Sequence, residues 1–322
     1  MLRTFFRRPR LRTGLAALVC ALCCSLAAAQ TLSLSFDDGL NPDKEPRAAA
    51  WNQALLDGLQ RAGVAAMVFP SLARTGGAPG LALVRAWGDA GHAVGNHTAS
   101  HRSLAAPDMS LAAFTADIET ADAALRTLPG WRPMLRFPYL KEGDTLAKRD
   151  GVRAWLATHG YRAAPVSIDA SDWYYNQVYG RWLDEGAPDK AQQVKAAYVD
   201  HLLDRATYYD QLARRVLGRS PPHVLLAHTS RLNADAIGDV VQAFRARGWT
   251  FTDPLTAFAD PLYTEPVDTL PAGESVVWAH ARAQGVTGLR YPAEDDVYEA
   301  PKLKALGLLP GADAAAPKPP SP

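Results

Sequence analysis

Cysteine is almost absent from this chain. Its three cysteines, Cys20, Cys23 and Cys24, all lie within the first thirty of 322 residues. If that segment is removed, the remaining chain has no cysteine. Disulfide scaffolds and thiol nucleophiles are then excluded as explanations of its stability or chemistry.

The chain also has little excess charge of either sign. Its 34 lysines and arginines nearly balance 33 aspartates and glutamates, for a formal net charge of +1. Subtracting five arginines of the first segment leaves about −4, which provides no electrostatic footprint for nucleic acid. There is no internal repeat and no long linker, so the sequence predicts one large domain with a sizeable core.

The first 29 residues have the pattern of a signal peptide. Five arginines form a basic head, a small apolar run covers residues 14–26, and three alanines before Gln30 fit an A-x-A cleavage site. The apolar run is too short to span a membrane well, so cleavage is favoured over an uncleaved anchor. With no cysteine left, we expect an exported bacterial protein, periplasmic or extracellular, with no stable membrane span.

Twin-arginine export is an alternative route. Arg7 and Arg8 form the required pair, but Pro9 and Arg10 follow them where apolar residues are usual. Ordinary secretion is therefore favoured.

Seven apolar runs alternate with helical patterns after the leader. Strands are predicted at 31–34, 65–69, 93–94, 134–137, 163–168, 223–227 and 249–251. Helices are predicted around 51–59 and at 81–90, 111–128, 145–159, 188–218 and 234–247. This alternation indicates an α/β protein with βα units around a parallel sheet or barrel. A functional site is then expected at the carboxyl ends of the strands.

The chain after the leader is predicted to consist of three segments. Residues 30–263 form the main domain. Residues 264–308 form a C-terminal extension, with short helices at 275–284 and 302–306, that packs on the barrel. Residues 309–322 are rich in alanine and proline and form a disordered tail.

Two adjacent carboxylates follow the first predicted strand, in Ser35-Phe36-Asp37-Asp38-Gly39. Neighbouring side chains on a strand point to different sides, so one carboxylate can bind a metal while the other takes a proton. Aspartate followed by glycine after a strand is also a common turn signal, and alone the turn is the better explanation.

Two histidines follow the third predicted strand, His97 and His101. At positions i and i+4 they face the same way on a helical turn, which is metal-ligand spacing, although a chance surface pair has the same spacing. Thr98 stands where H-E-x-x-H metalloproteases carry glutamate, so a base must come from elsewhere. Asp37 or Asp38 is the nearest source.

Three more polar groups end later strands. They are Arg136-Phe137-Pro138-Tyr139, Asp169-Ala170-Ser171-Asp172-Trp173 and Leu226-Ala227-His228. Each alone has an ordinary explanation: a surface ion pair, a polar turn beside a core tryptophan, or a structural histidine. Five such groups at the ends of successive strands indicate one shared site.

With these five motifs the sequence resembles the polysaccharide deacetylases, carbohydrate esterase family 4, also called the nodulation-protein deacetylase homology domain. The family motifs T/S-F-D-D-G, H-S/T-x-x-H, R-x-P-Y, D-x-x-D-W and L-x-H occur here in that order, over residues 31–263. The resemblance implies a distorted (β/α)₇ barrel and a metal-dependent hydrolase that removes acetyl groups by attack of a metal-bound water.

The resemblance also implies a metal centre and a base. Asp38, His97 and His101 bind a divalent metal, usually zinc. Asp37 is the general base, and Arg136 holds Asp37 in place. The metal used in vivo stays open, because this set also suits cobalt and others.

The acid side of the site follows from the same resemblance. His228 is the general acid to the departing amine, and Asp172 keeps it oriented and protonated. The backbone N–H of Tyr139 helps to stabilise the oxyanion, and Trp173 and Leu226 wall the pocket for the acetyl methyl group.

The substrate is less defined than the chemistry. An N-acetylated sugar, oligomer or polymer is expected, with an O-acetyl esterase on a polymer such as acetylated xylan as one alternative. A barrel that binds glycan without turnover is another, disfavoured by the complete catalytic set. Chitin oligomers, peptidoglycan, exopolysaccharide and xylan all fit, and the oligomeric state is not indicated.

Two departures from the family pattern concern the surroundings of the site. Leu40 replaces a frequent proline and begins a charged loop that can reshape the groove near the base. The aromatic residues between the fourth and fifth motifs either stack on sugar rings or pack the outer layer of the barrel; they are Trp173, Tyr174, Tyr175, Tyr179 and Trp182.

Overall fold

The computed structural model describes residues 30–290 and 296–309. The predicted signal peptide, and the predicted tail from residue 310 onward, lie outside these residues. Within them the strands are β1 Thr31–Asp38, β2 Ala66–Pro70, β3 Ala93–Asn96, β4 Trp131–Leu135, β5 Lys141–Gly143, β6 Arg162–Ala163, β7 Pro222–His228, β8 Thr250–Phe251 and β9 Ala272–Gly273.

The α-helices of the described residues surround these strands. They are α1 Ala48–Ala62, α2 Leu72–Thr75, α3 Ala78–Asp89, α4 Leu111–Leu125, α5 Leu146–Thr158, α6 Asp172–Asp184, α7 Pro188–Leu217, α8 Arg231–Ala246, α9 Pro254–Ala257, α10 Pro261–Thr264, α11 Val276–Ala283 and α12 Asp296–Ala305.

Seven of the strands form one parallel sheet, in which β1 pairs with three others. The neighbours run β6-β4-β3-β2-β1-β7, and β8 pairs with the first two residues of β1. Leu32, Leu34 and Phe36 on one face of β1, and Ser33 and Ser35 on the other, are at most 2% exposed, as expected of a parallel strand buried on both faces. Asp37 and Asp38 are therefore carried by a strand that is buried on both faces.

The chain after β6 curls this sheet into a nearly closed barrel. The amide of Ala164 donates to the carbonyl of Leu135 on β4 at 2.7 Å. Four residues later, Ile168 donates to Val224 and accepts from Leu226 on β7, both at 3.0 Å. Residues 164–168, named here the closing segment, thus cross from β4 to β7 and confirm the distorted barrel.

The continuous fifth strand predicted at 163–168 is wrong. Only Arg162–Ala163 pairs as a strand, and Ile168 forms an isolated bridge with Leu225. Pro165 interrupts the run, because proline has no N–H to donate to a ladder.

Most predicted helices are confirmed within a few residues of their observed bounds, but α6 was not predicted. The sequence predicts a polar turn for its N-terminal residues, and its five aromatic residues obscure the helical pattern. Of these, Tyr174, Tyr175 and Tyr179 are buried against the core.

The residues after α10 pack against the closing segment. Ser275 Oγ donates to the carbonyl of Ser167, and the amide of Val276 donates to Val166, both at 2.8 Å. A cavity of about 360 Å³ lies between α5, the closing segment and this extension. Its lining excludes Asp38, His97 and His101. No helix in residues 30–290 or 296–309 is long and apolar enough to cross a membrane.

Candidate metal centre and catalytic site

The two carboxylates of the first motif are the last residues of β1, not a loop after it. Asp37 is buried, and Asp38 has φ of 81°. That left-handed conformation breaks the strand alternation that predicts carboxylates on opposite sides. Nε2 of His97 consequently lies 3.7 Å from Asp37 Oδ2 and 3.9 Å from Asp38 Oδ1.

The two histidines lie on a loop after β3, so the predicted helical turn is wrong. Thr98 and His101 adopt φ values of 65° and 58°. The amide of Thr98 donates to Asn96 Oδ1 at 2.8 Å, and the amide of His101 donates to Thr98 Oγ1 at 3.1 Å. These bonds fold the loop so that the two imidazole ring centres lie 4.9 Å apart.

Asp38, His97 and His101 form a set that fits a divalent cation. One ligand atom from each lies within 4.8 Å of the others. Asp38 Oδ1 is buried and accepts no hydrogen bond, although His101 Nε2 is 3.1 Å away. Two imidazoles and one carboxylate suit zinc and related metals, with positions left for other ligands.

The protonation of this set also suits a cation. Nδ1 of His97 lies 2.7 Å from the carbonyl of Arg136 and donates to it, which leaves Nε2 as a lone-pair donor. Burial lowers the pKa of His97 well below its usual range, so the ring is neutral. Burial would raise the pKa of Asp38, but close contact with His101 and the other imidazoles lowers it.

Arg136 is fully buried, and all three of its guanidinium nitrogens donate hydrogen bonds. Its Nη1 donates to Asp37 Oδ1 and Oδ2 at 3.0 and 3.2 Å, its Nη2 to Ser35 Oγ at 3.0 Å, and its Nε to the Ala164 carbonyl at 2.6 Å. Burial raises the pKa of Asp37 to about 6, against the opposing charge of Arg136. Sequence reasoning missed Ser35 as a partner of Arg136, although its place two residues before Asp37 on the same strand face was a signal.

His228 ends β7 beside Asp37, with which it is paired in the β1–β7 register. Its Nδ1 lies 2.7 Å from Asp172 Oδ1, and its amide donates to Asp172 Oδ2 at 2.7 Å. Asn233 Nδ2 donates to the same Oδ2 at 2.8 Å, and no sequence signal pointed to it. Burial alone would lower the pKa of His228, but the Asp172 charge and hydrogen bond raise it to about 10.

The remaining site residues predicted by sequence surround this centre. Tyr139 lies in a single turn at Pro138–Leu140 with φ of 56°, and its ring centre is 4.9 Å from that of His101. Leu226 is buried on β7, two residues before His228. Trp173 is half-buried in the first turn of α6, with its ring against Tyr174.

The other aromatic residues of α6 pack rather than face the site. Tyr175 Oη donates to Glu299, and Tyr179 Oη donates to Asp235. Trp182 Nε1 donates to the carbonyl of Leu308. Tyr175, Tyr179 and Trp182 therefore pack within the protein and do not form a stacking surface for sugar rings.

One cation near the metal set was not predicted. Arg74 in α2 places its Nε 3.7 Å from Asp38 Oδ2 and its Nη2 3.5 Å from His101 Nδ1. Its side chain is half exposed, so a positive charge lies at the mouth of the site.

A family model described as "Polysaccharide deacetylase" matches residues 27–163. That range contains the first three motifs and all three members of the metal set. The resemblance found in the motifs is therefore confirmed over these residues, which are similar in sequence to the polysaccharide deacetylases. No curated protein matches the chain.

Several solved structures are similar to the chain at low identity. A family 4 carbohydrate esterase from Streptomyces lividans, in complex with acetate, is 23% identical over 71% of this chain and 95% of its own, with a TM-score of 0.47. The catalytic domain of a peptidoglycan N-acetylglucosamine deacetylase from Eubacterium rectale is 18% identical over 70% and 88%, with a TM-score of 0.47. A family 4 acetyl xylan esterase from Clostridium thermocellum, with a cobalt ion, is 19% identical over 71% and 91%, with a TM-score of 0.47.

Proposed function

We propose that this protein is a divalent-metal-dependent hydrolase that removes acetyl groups from N-acetylated sugars in an oligo- or polysaccharide. The observation that carries the proposal is the meeting of three units at one end of the barrel. These are the Asp38–His97–His101 set, the Asp37–Arg136 pair and the Asp172–His228 pair. Amide hydrolysis needs an activated water, a stabilised oxyanion and a proton for the amine, and these units match the three needs.

The metal set would hold the cation through Asp38 Oδ1 and the Nε2 atoms of His97 and His101. A divalent cation bound there would lower the pKa of a coordinated water and polarise the acetyl carbonyl. The two imidazoles and single carboxylate make zinc the first metal to test, with cobalt as an alternative.

Asp37 is proposed as the group that accepts the proton of the attacking water. Arg136 fixes its carboxylate through two contacts, and the pKa of about 6 leaves most of it ionised at neutral pH. A base whose pKa lies near the working pH is an efficient one. Arg136 is thus a positioning residue, because it acts through Asp37.

His228 is proposed as the group that gives a proton to the departing amine. Asp172 binds its Nδ1 and holds the ring charged, so Nε2 is the donor. The strand register supports this assignment, because His228 is paired with Asp37 on neighbouring strands about 5 Å apart. The backbone N–H of Tyr139 is proposed to donate to the oxyanion, and Leu226 and Trp173 to contact the acetyl methyl group.

The test is acetate release by residues 30–322, loaded with zinc or cobalt. The panel contains N-acetylglucosamine oligomers, peptidoglycan and acetylated xylan. Asp37→Asn should reduce release at least about 100-fold, as expected when a general base is lost. Asp89→Asn, which removes an exposed carboxylate at the end of α3, is the matched control.

The proposal is supported if the wild type and the control variant release acetate from the amide substrates and Asp37→Asn does not. Release from acetylated xylan alone would instead identify an O-acetyl esterase. Sugar binding without any release, with metal verified in the protein, would identify a binding barrel and refute catalysis.

We also propose that the protein is exported, with cleavage after Ala29. The basic head, apolar run and A-x-A site of the sequence support this. Terminal sequencing of the protein from a periplasmic or culture fraction should begin at Gln30. A protein that retains residues 1–29 and stays with membranes would contradict the proposal.

A further inference from the structure

The C-terminal extension reaches a buried polar cluster behind the catalytic acid. Glu299 in α12 is 1% exposed, and its Oε2 lies 3.3 Å from His201 Nδ1 on α7. The same oxygen accepts from Tyr175 Oη at 3.0 Å and from Lys302 Nζ at 3.3 Å. Replacing this buried carboxylate alone should lower the free energy of unfolding, because three neighbouring donors lose their acceptor.

His201 connects this cluster to the residue before Asp172. The backbone N–H of Ser171 donates to His201 Nε2 at 3.1 Å. Ser171 immediately precedes α6, and Asp172, the first residue of that helix, binds His228 at 2.7 Å. The side chain of His201 thus links the C-terminal extension to the backbone that positions Asp172 and, through it, His228.

The order of donors and acceptors fixes one tautomer of His201. Because Nε2 accepts from Ser171, it carries no proton, and the proton of the neutral ring lies on Nδ1, toward Glu299. If the acceptor at 299 is lost, the buried Nδ1–H has no partner within reach, and this cost favours a shift of the proton to Nε2. Its Nε2–H would then face the Ser171 N–H, donor against donor, and displace the start of α6.

We propose that Glu299 and His201 are positioning residues for the catalytic acid: the C-terminal extension fixes the His201 tautomer and thereby the backbone that carries Asp172. This inference rests on the proposed deacetylase function for its kinetic consequence. Its structural part, the tautomer, is independent of activity.

The kinetic test separates loss of the acid from general damage. An amine leaves only with a proton, whereas 4-nitrophenolate leaves without one. In Glu299→Leu we expect kcat on N-acetylglucosamine oligomers to fall about 10- to 100-fold, the range for a misplaced catalytic group. Hydrolysis of 4-nitrophenyl acetate should change less than about threefold, because it does not need the acid.

Three comparisons complete the design. Glu299→Gln keeps a carbonyl acceptor and should restore most amide activity. Trp182→Phe removes the Trp182–Leu308 hydrogen bond between α6 and the extension but does not touch His201, so both activities should stay at the wild-type level. Metal content and thermal unfolding are measured for every variant.

¹⁵N NMR of histidine-labelled protein reads the tautomer directly, with the His201 signals assigned from a His201→Gln variant. The wild type and Glu299→Gln should show Nδ1–H, and Glu299→Leu should show a mixed or Nε2–H form. An unchanged tautomer in Glu299→Leu, or equal loss of amide and ester activity, would overturn the inference. If the wild type hydrolyses neither substrate, the proposed function fails, and the NMR result alone decides the positioning role.

Discussion

The Asp37–Arg136 pair gives the sharpest quantitative prediction, because both side chains are buried and bound to each other. Arg136 is 0% exposed and Asp37 is 3% exposed. Removing one partner of a buried ion pair typically costs about 3–5 kcal/mol, since the other charge stays buried without compensation. We expect Arg136→Met and Asp37→Asn each to lose free energy of unfolding, with the larger loss in Arg136→Met.

The larger loss in Arg136→Met follows from its other contacts. Arg136 also donates to Ser35 Oγ and to the carbonyl of Ala164, which holds the closing segment. Each buried acceptor left without a donor adds about 1–3 kcal/mol. Asp37→Asn keeps an oxygen that still accepts from Arg136, and the raised pKa of Asp37 means that its buried charge is itself costly, so the loss in this variant should be small.

A double-mutant cycle measures the interaction itself. Urea unfolding is followed in the presence of a chelator, so that metal binding does not enter the measured free energy. In the double variant the loss should be smaller than the sum of the two single losses by about 1–3 kcal/mol, as for residues in direct contact. Additive losses would refute the conclusion that Arg136 holds Asp37.

Three further predictions test other parts of the fold. Asp210→Asn should destabilise at pH 7 by about 2 kcal/mol, because buried Asp210 accepts from Arg214. Burial alone would raise the pKa of Asp210, but its hydrogen bonds lower it overall. The difference in free energy of urea unfolding between wild type and variant should therefore shrink below about pH 4. A difference that stays constant with pH would contradict this. Gly180→Ala should raise thermal stability by about 0.5–1 kcal/mol, because a Cβ there meets nothing, whereas Gly273→Ala should lower it, with φ of 116° and a carbonyl in the way. Zinc at about 100 times its Kd should stabilise the wild type by about 2.7 kcal/mol, and should leave the unfolding temperature of His97→Ala unchanged.

The strands and the residues at their ends could be predicted from the sequence because both depend on local pattern. Apolar runs mark buried parallel strands, and the site gathers where such strands end. For that reason Asp37, Arg136 and His228 were found although they are about a hundred or more residues apart. A continuous strand is wrongly predicted over the closing segment, because Pro165 has no N–H to donate to a ladder although the run around it is apolar.

The partners behind the site could not be predicted in the same way. Asn233, His201 and Glu299 carry no motif, and each reaches the site through a helix whose rotation is set by packing. The helical turn expected for His97 and His101 failed for a related reason. Their spacing fits a helix, but side-chain to backbone hydrogen bonds from the loop offered another conformation.

That loop yields a last prediction, which concerns Asn96. Its Oδ1 accepts from the amide of Thr98, and its Nδ2 donates to the carbonyl of Ile118 and to Tyr161 Oη, both at 3.1 Å. Asn96 is not a metal ligand, yet it fixes the backbone between His97 and His101. We expect Asn96→Leu to weaken zinc affinity about 10- to 100-fold, as is typical when residues that orient the ligands are lost.

Competitive titration against a zinc chelator measures this affinity. Asn52→Leu is the matched control, because Asn52 is also a buried asparagine, and its hydrogen bonds join α1 to Trp87 and Leu83 of α3. It should lower the free energy of unfolding without changing zinc affinity. Equal zinc affinity in Asn96→Leu and wild type would mean that the histidines converge without Asn96, and that the positive φ values of Thr98 and His101 are held by the remainder of the loop.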